Sequence, residues 1–179
     1  LNISKRMKTI VNSLLLLQRS SSNAFELSNQ NIILKRLIDQ VIEELTFKHL
    51  NISKRINNML DDDLTIIADE FSLNTILCNL IDNALFYGIT DQAIILDTIE
   101  NEHSVTISIS NKVDRLLNNE ELSAIFDPLY QLDSSRTNNQ RHGLGLSIVQ
   151  SLCDLNGFKI NAQNNENNTL TFNLTLPIK

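Results

Sequence analysis

Cysteine is scarce, with two in 179 residues. Cys78 and Cys153 each sit in an apolar helical pattern, apart from any CxxC or Cys/His cluster. That excludes a disulfide framework and a thiolate metal centre, and leaves two small buried hydrophobes of a reducing compartment. Positive charge is also in deficit: 15 Lys and Arg against 21 Asp and Glu give a net charge of −6. A nucleic-acid binder carries a basic footprint, so that class is set aside, although a few local donors can still hold a phosphate chain. No apolar run approaches the roughly 18 residues that span a bilayer. The four leucines at 14–17 are too few, and no signal peptide precedes them. The chain is therefore expected to be soluble, with any membrane part of its parent lying elsewhere. Glycine numbers only four, so two of them in one short run is a signal. What is there, 42% hydrophobic residues, suffices for one domain with a core and one appended element.

Residues 1–21 read as an amphipathic helix. Ile3, Met7, Ile10, Val11, Leu14, Leu15 and Leu17 recur at three- and four-residue steps. Ser20, Ser21, Ser22 and Asn23 stop it, because their side chains compete for backbone hydrogen bonds. A boundary is placed there, dividing residues 1–25 from a second unit, 26–179. A lone amphipathic helix needs a partner for its stripe.

A second helix is expected over 30–45, with Ile33, Leu34, Leu37, Ile38, Val41, Ile42 and Leu45 on one face, and a strand over 49–57. A short strand over 64–68 leads to Asp69, which caps a long helix running to residue 87. Alternating runs at 93–97 and 105–109 read as one hairpin, and 158–162 with 170–176 as another. A helix over 144–155 lies between them. The polar stretch 111–142 is too long for an ordinary connection and reads as a functional lid over about 112–142. The hexamer Leu-Asn-Ile-Ser-Lys-Arg occurs at 1–6 and 50–55, expected as helix in one copy and strand in the other. It is taken as coincidence, because the residues that follow do not match. These blocks predict an α+β fold: a two-layer sandwich with helices on one face of a mixed sheet, plus the extra N-terminal helix.

Three runs carry chemistry. Asn79 and Asn83 stand four residues apart on the long helix, so they share a face. An amide oxygen is a suitable hard ligand for magnesium, which often bridges substrate phosphates. In Gly143-Leu144-Gly145-Leu146 a polar stretch turns into a helix. Glycines there permit close backbone approach, and the free amides of a helix start attract phosphate. The third run, Ile125-Phe126-Asp127-Pro128-Leu129-Tyr130, is an apolar knot inside the lid, and Arg136 beyond it has the reach to contact a phosphate.

In this order the runs resemble the catalytic domain of sensor histidine kinases, within the superfamily of ATPases that includes gyrase and MutL. Residues 79–88 look like the family's N box, 125–136 its F box and 141–149 its second glycine box. Residues 1–21 resemble the second helix of the dimerisation and phosphotransfer domain. The resemblance implies a protein histidine kinase that binds ATP and Mg2+. It would pass the γ-phosphoryl group to a histidine of its own dimerisation domain, and thence to an aspartate on a response regulator receiver domain. It further implies that the parent is a membrane-anchored bacterial homodimer.

Carried over residue by residue, Asn83 matches the magnesium ligand and Asn79 its phosphate-side neighbour. Tyr87 and Asn111 match residues that hold adenine. His142, Gly143, Leu144, Gly145 and Leu146 flank the phosphate tail, with Arg136 as a lid contact. Three positions depart from the pattern. Phe86 stands where many members have a basic residue. Asn111 replaces an aspartate in a first glycine box that has lost both glycines. Arg141 replaces the leading glycine of the second. None of His49, His103 and His142 lies in a His-Glu-Leu-Arg-like run, so no phosphoacceptor is expected in this piece and no autophosphorylation in isolation. The rival reading is a degenerate, non-catalytic nucleotide-binding or signalling module, which the lost glycines and Phe86 favour. A third, another ATPase of the superfamily, usually needs a catalytic glutamate in the N-box helix to activate water, and only Asp82 and Glu70 are near here.

Overall fold

In the computed structural model the described residues are 26–47, 52–131 and 143–178. The predicted helix over 1–21, the boundary near residue 25, and His49, Arg136, Arg141 and His142 all lie outside them.

The described chain opens with strand β1 (Asn29–Ile33), which pairs antiparallel with β3 (Thr65–Asp69) as a two-stranded sheet. Helix α1 (Leu34–Thr46) follows directly, and the Leu34 amide donates to Leu64 O at 2.9 Å, which supplies one of the acceptors its open N-terminus needs. The sequence reading began this helix at residue 30. Residues 29–33 are instead extended, because β3 gives their backbone a ladder to join. Next come a single turn, α2 (Ile52–Arg55), and a three-residue strand, β2 (Ile56–Asn58). Here too the expectation is corrected. The predicted strand over 49–57 is helical at 52–55, so the second hexamer copy contains a helical turn. Only Ile56 to Asn58 find partners on the neighbouring strand, parallel to Ile94 to Leu96.

Asp69 caps α3 (Glu70–Tyr87) by accepting from the Ser72 amide at 2.8 Å, and its second oxygen accepts from the Ser28 amide at 3.0 Å. Burial works to raise this carboxyl, but the hydrogen bonds from Ser72 and Ser28 outweigh it and hold it below the usual carboxylate range. Leu73, Ile76, Leu77, Leu80 and Ile81 are fully buried along α3. Each such side chain contributes about 1.5–3 kcal/mol by leaving water. Helix α3 packs against α1 and against α5 (Gly145–Asn156). On α5, burial, then the adjacent Asp154 charge, pushes the Cys153 thiol up to about 12, so it is a protonated core group.

The main sheet has the order β2-β4-β5-β7-β6, with β4 (Ile94–Asn101), β5 (Ser104–Lys112), β6 (Lys159–Asn165) and β7 (Thr169–Pro177). Only β2–β4 is parallel. Both predicted hairpins are present, and the mixed sheet with its helical layer is the expected α+β sandwich. Val105, Ile107 and Ile109 on β5 and Leu170, Phe172 and Leu174 on β7 alternate into the core.

On the opposite face, β5 and β7 are joined by uncharged polar pairs. Ser110 bonds Thr171 at 2.8 Å, Ser108 donates to Asn173 at 2.8 Å, and Thr106 bonds Thr175 at 2.9 Å. The polar stretch also holds more structure than a loop. Asn111 and Lys112 end β5, and a six-residue helix, α4 (Asn119–Ala124), follows.

Candidate functional site

A cavity of about 390 Å³ opens between the C-terminal half of α3, the end of β5, residues 113–117, residues 125–131 and the start of α5. That volume falls within the range of small-molecule sites. Asn83 lines it from α3 and is 7% exposed. One turn on, Phe86 and Tyr87 form an aromatic wall, their rings edge to face with centroids 4.9 Å apart. Ile125, Leu170 and Phe172 supply the apolar lining, with Phe126 edge-on to Phe172 at 6.3 Å.

Asn111 lines the same cavity and is 3% exposed. Its Oδ1 is buried without a hydrogen-bond partner among the described residues. Its Nδ2 makes one long bond, 3.4 Å, to Lys112 O. A buried acceptor left unpaired costs about 1–3 kcal/mol, so this oxygen is a candidate acceptor for a donor from water or from a ligand in the cavity.

The expected pair of amides is divided. Asn79 turns its Nδ2 back to Thr75 O at 2.8 Å, within its own helix. Its Oδ1 lies under Gly145, where an added Cβ would come within 2.9 Å of that oxygen. Asn79 and the start of α5 thus meet at one point, while Asn83, Tyr87, Asn111 and Leu146 share the cavity wall. Leu144 is 4% exposed and is not among the residues that line the cavity.

Gly143 sits at φ +67°. Its carbonyl accepts from the Leu129 amide at 2.9 Å, so the two ends of the segment 130–142 meet in a neck. A Cβ at Gly143 would lie 2.6 Å from Tyr130 O.

Several wall residues escaped the sequence reading. Leu170 and Phe172 were legible as inward strand positions, but nothing in a two-residue alternation tells a cavity from a core. Arg115 also lines the cavity and grips Glu121 with both guanidinium nitrogens, at 2.8 and 2.6 Å. Glu121 closes a capping box with Asn118 at the start of α4. The spacing Asn118-x-x-Glu121 is a sequence signature that could have located this helix.

The Arg115 guanidinium, then the Asn118 amide, hold the Glu121 carboxyl down to about 2 from 4.5. A depressed carboxyl contributes stability above its unfolded value and loses it as pH falls through the folded one. The α4 cap should therefore be intact above about pH 4.5 and lost toward pH 2. A carboxyl NMR titration should place the Glu121 midpoint near 2. In Arg115→Gln it should return toward 4.5, and an unchanged midpoint would refute this account.

A buried acceptor, an aromatic wall and a glycine-gated helix start together define a nucleotide-binding α+β sandwich. Comparison with known proteins agrees. A model of the histidine kinase-, DNA gyrase B- and HSP90-like ATPases matches residues 68–179. The sensor histidine kinase WalK of Bacillus subtilis strain 168 is 28% identical over 180 residues, covering 99% of this chain and 30% of that protein. Sensor protein VanSC of Enterococcus gallinarum is 31% identical over 142 residues, covering 76% of this chain and 38% of that protein. The solved catalytic domain of histidine kinase ThkA, in a nucleotide-free form, superposes with TM-score 0.70 at 25% identity, covering 85% of this chain and 99% of that one. This chain belongs to the histidine kinase-, DNA gyrase B- and HSP90-like ATPase family, as an ATP-binding catalytic domain of the sensor histidine kinase type. It spans well under half the length of the two curated relatives. No helix among the described residues is long and apolar enough to cross a membrane.

Proposed function

We propose that this domain binds magnesium–ATP in the cavity beside Asn111 and delivers the γ-phosphoryl group to a histidine on a dimerisation domain of the same parent. In that step the bond from the γ-phosphorus to the ADP oxygen breaks and a nitrogen–phosphorus bond to the imidazole forms. The phosphoryl group then passes to an aspartate on a response regulator, and the parent works as a membrane-anchored homodimer. The observation that carries the reading is the Asn111 oxygen, buried and without a partner among the described residues, on a residue that lines the same cavity as Asn83.

Each residue then has a task. Asn111 accepts from the base, and Tyr87 and Phe86 cover its face. The first-turn amides of α5, beside Gly145 and Leu146, take the phosphates. Asn79 Oδ1 lies under Gly145 and orients that turn. Arg136 and His142, which lie outside the described residues, keep the phosphate-side roles that the resemblance implies. Asn83 offers magnesium one hard oxygen. Among the described residues no cluster of three His, Cys, Asp or Glu could hold a metal alone, which suits an ion that keeps waters and substrate phosphates as its other ligands. Bound there, magnesium neutralises phosphate charge, and the protein's own work is positioning.

The test is a fluorescent-nucleotide titration with and without magnesium, followed by mixing with a separate histidine-bearing dimerisation domain and γ-labelled ATP. Magnesium-dependent binding and acid-labile label on the added domain are expected. No binding at millimolar nucleotide would leave a degenerate module as the surviving reading.

A further inference from the structure

Asn111 also bears on which purine the site takes, an inference that rests on the nucleotide reading above. A carboxylate at this place could only accept hydrogen bonds. An amide is two-sided: Oδ1 accepts, Nδ2 carries two donor protons, and a half-turn about the last side-chain bond exchanges them. In the present orientation Oδ1 is the partnerless atom and Nδ2 spends one proton on the 3.4 Å bond to Lys112 O.

Purines divide on the same two-sided logic. Adenine presents an amino donor beside a ring-nitrogen acceptor. Hypoxanthine and guanine present a carbonyl acceptor beside a ring N–H donor. Asn111 as it stands complements the first edge, and Asn111 turned over complements the second. Turning it over gives up the bond to Lys112 O and sets oxygen against oxygen at that distance. Lys112 O keeps the Ile89 amide as a donor at 2.9 Å, so the cost is one weak neutral hydrogen bond and an oxygen–oxygen repulsion across 3.4 Å, and adenine keeps a preference of up to about tenfold.

We propose that Asn111 makes this a dual-purine site, which binds 6-oxo purine nucleoside triphosphates alongside ATP. The experiment is competition on the full chain. A bound fluorescent ATP analogue is displaced by ATP, by ITP and by GTP, in wild type and in Asn111→Asp. ITP isolates the edge contact, because it lacks the 2-amino group of GTP. In the wild type ITP should compete within about tenfold of ATP. Asn111→Asp should widen that gap by at least about tenfold more, since the carboxylate repels the 6-carbonyl and leaves it unpaired. A wild-type gap above tenfold overturns the proposal, as does an identical gap in a folded Asn111→Asp. If the aspartate variant does not fold, judged by circular dichroism, the wild-type ratio decides alone. Failure of ATP itself to compete is a different result, and it overturns the nucleotide reading together with this inference.

Discussion

Asn83→Ala should weaken magnesium-dependent nucleotide binding by about 100-fold or more. Loss of a group that merely supports a metal ligand typically costs 10–100-fold in metal affinity, and loss of the ligand itself costs at least as much. Asn83 is 7% exposed on the cavity wall. Alanine is the better helix former, so the fold should survive and the defect should appear in binding. Titrations with and without magnesium separate the outcomes. The wild type should bind more tightly with the ion, and the variant should show the same weak affinity in both conditions. Asn79→Ala should cost less, because that amide spends its donor on Thr75 O in its own helix. Full magnesium dependence in Asn83→Ala would refute the assignment.

The second large effect is expected at the neck. Gly143 adopts φ +67°, and a Cβ there would meet Tyr130 O at 2.6 Å and Leu129 C at 2.8 Å, both backbone atoms with little room to yield. Left-handed backbone alone costs a non-glycine residue about 1–2 kcal/mol, and the collision adds to it. Gly143→Val should therefore destabilise by at least about 2 kcal/mol, roughly 4–8 °C in Tm for a domain of this size. It should also lower nucleotide affinity, because the Leu129–Gly143 junction sets where α5 begins. Gly157→Val is the control. It has φ +70° but nothing within 4 Å of its Cβ, so it carries the backbone strain without the collision. Equal melting temperatures for the two variants would refute the neck as a structural element.

Most of the fold was legible because periodicity and caps agreed. Asp69 before an apolar helix, alternation through 105–109 and the apolar stripe from Leu34 each point one way. The misreadings fall where tertiary pairing overrides local pattern. Ile32 and Ile33 run straight into the stripe that starts at Leu34, yet β3 recruits residues 29–33 as a strand. Residues 52–55 precede the three that pair with β4 and turn as a helix instead. In the site, Asn83, Tyr87, Asn111 and Leu146 could be named from the sequence, and the structure brings them to one cavity. The division of labour between Asn79 and Asn83 was not legible, because helical spacing sets which face an amide occupies and not where its donor turns. Arg115 and Phe172 reach the cavity only through the closing of α4 and β7 around it.

The polar lattice on the outer face of the sheet has one further consequence. Its cross-strand pairs bind β5 to β7 row by row, in the alignment that sets Asn111 opposite Leu170. Sliding either strand by a single position would invert every side chain along it, and Asn111 would look out to solvent instead of into the hollow. The hydroxyls and amides on that face thus act as the detents of a ratchet, holding Asn111 on the side of the sheet that faces the cavity.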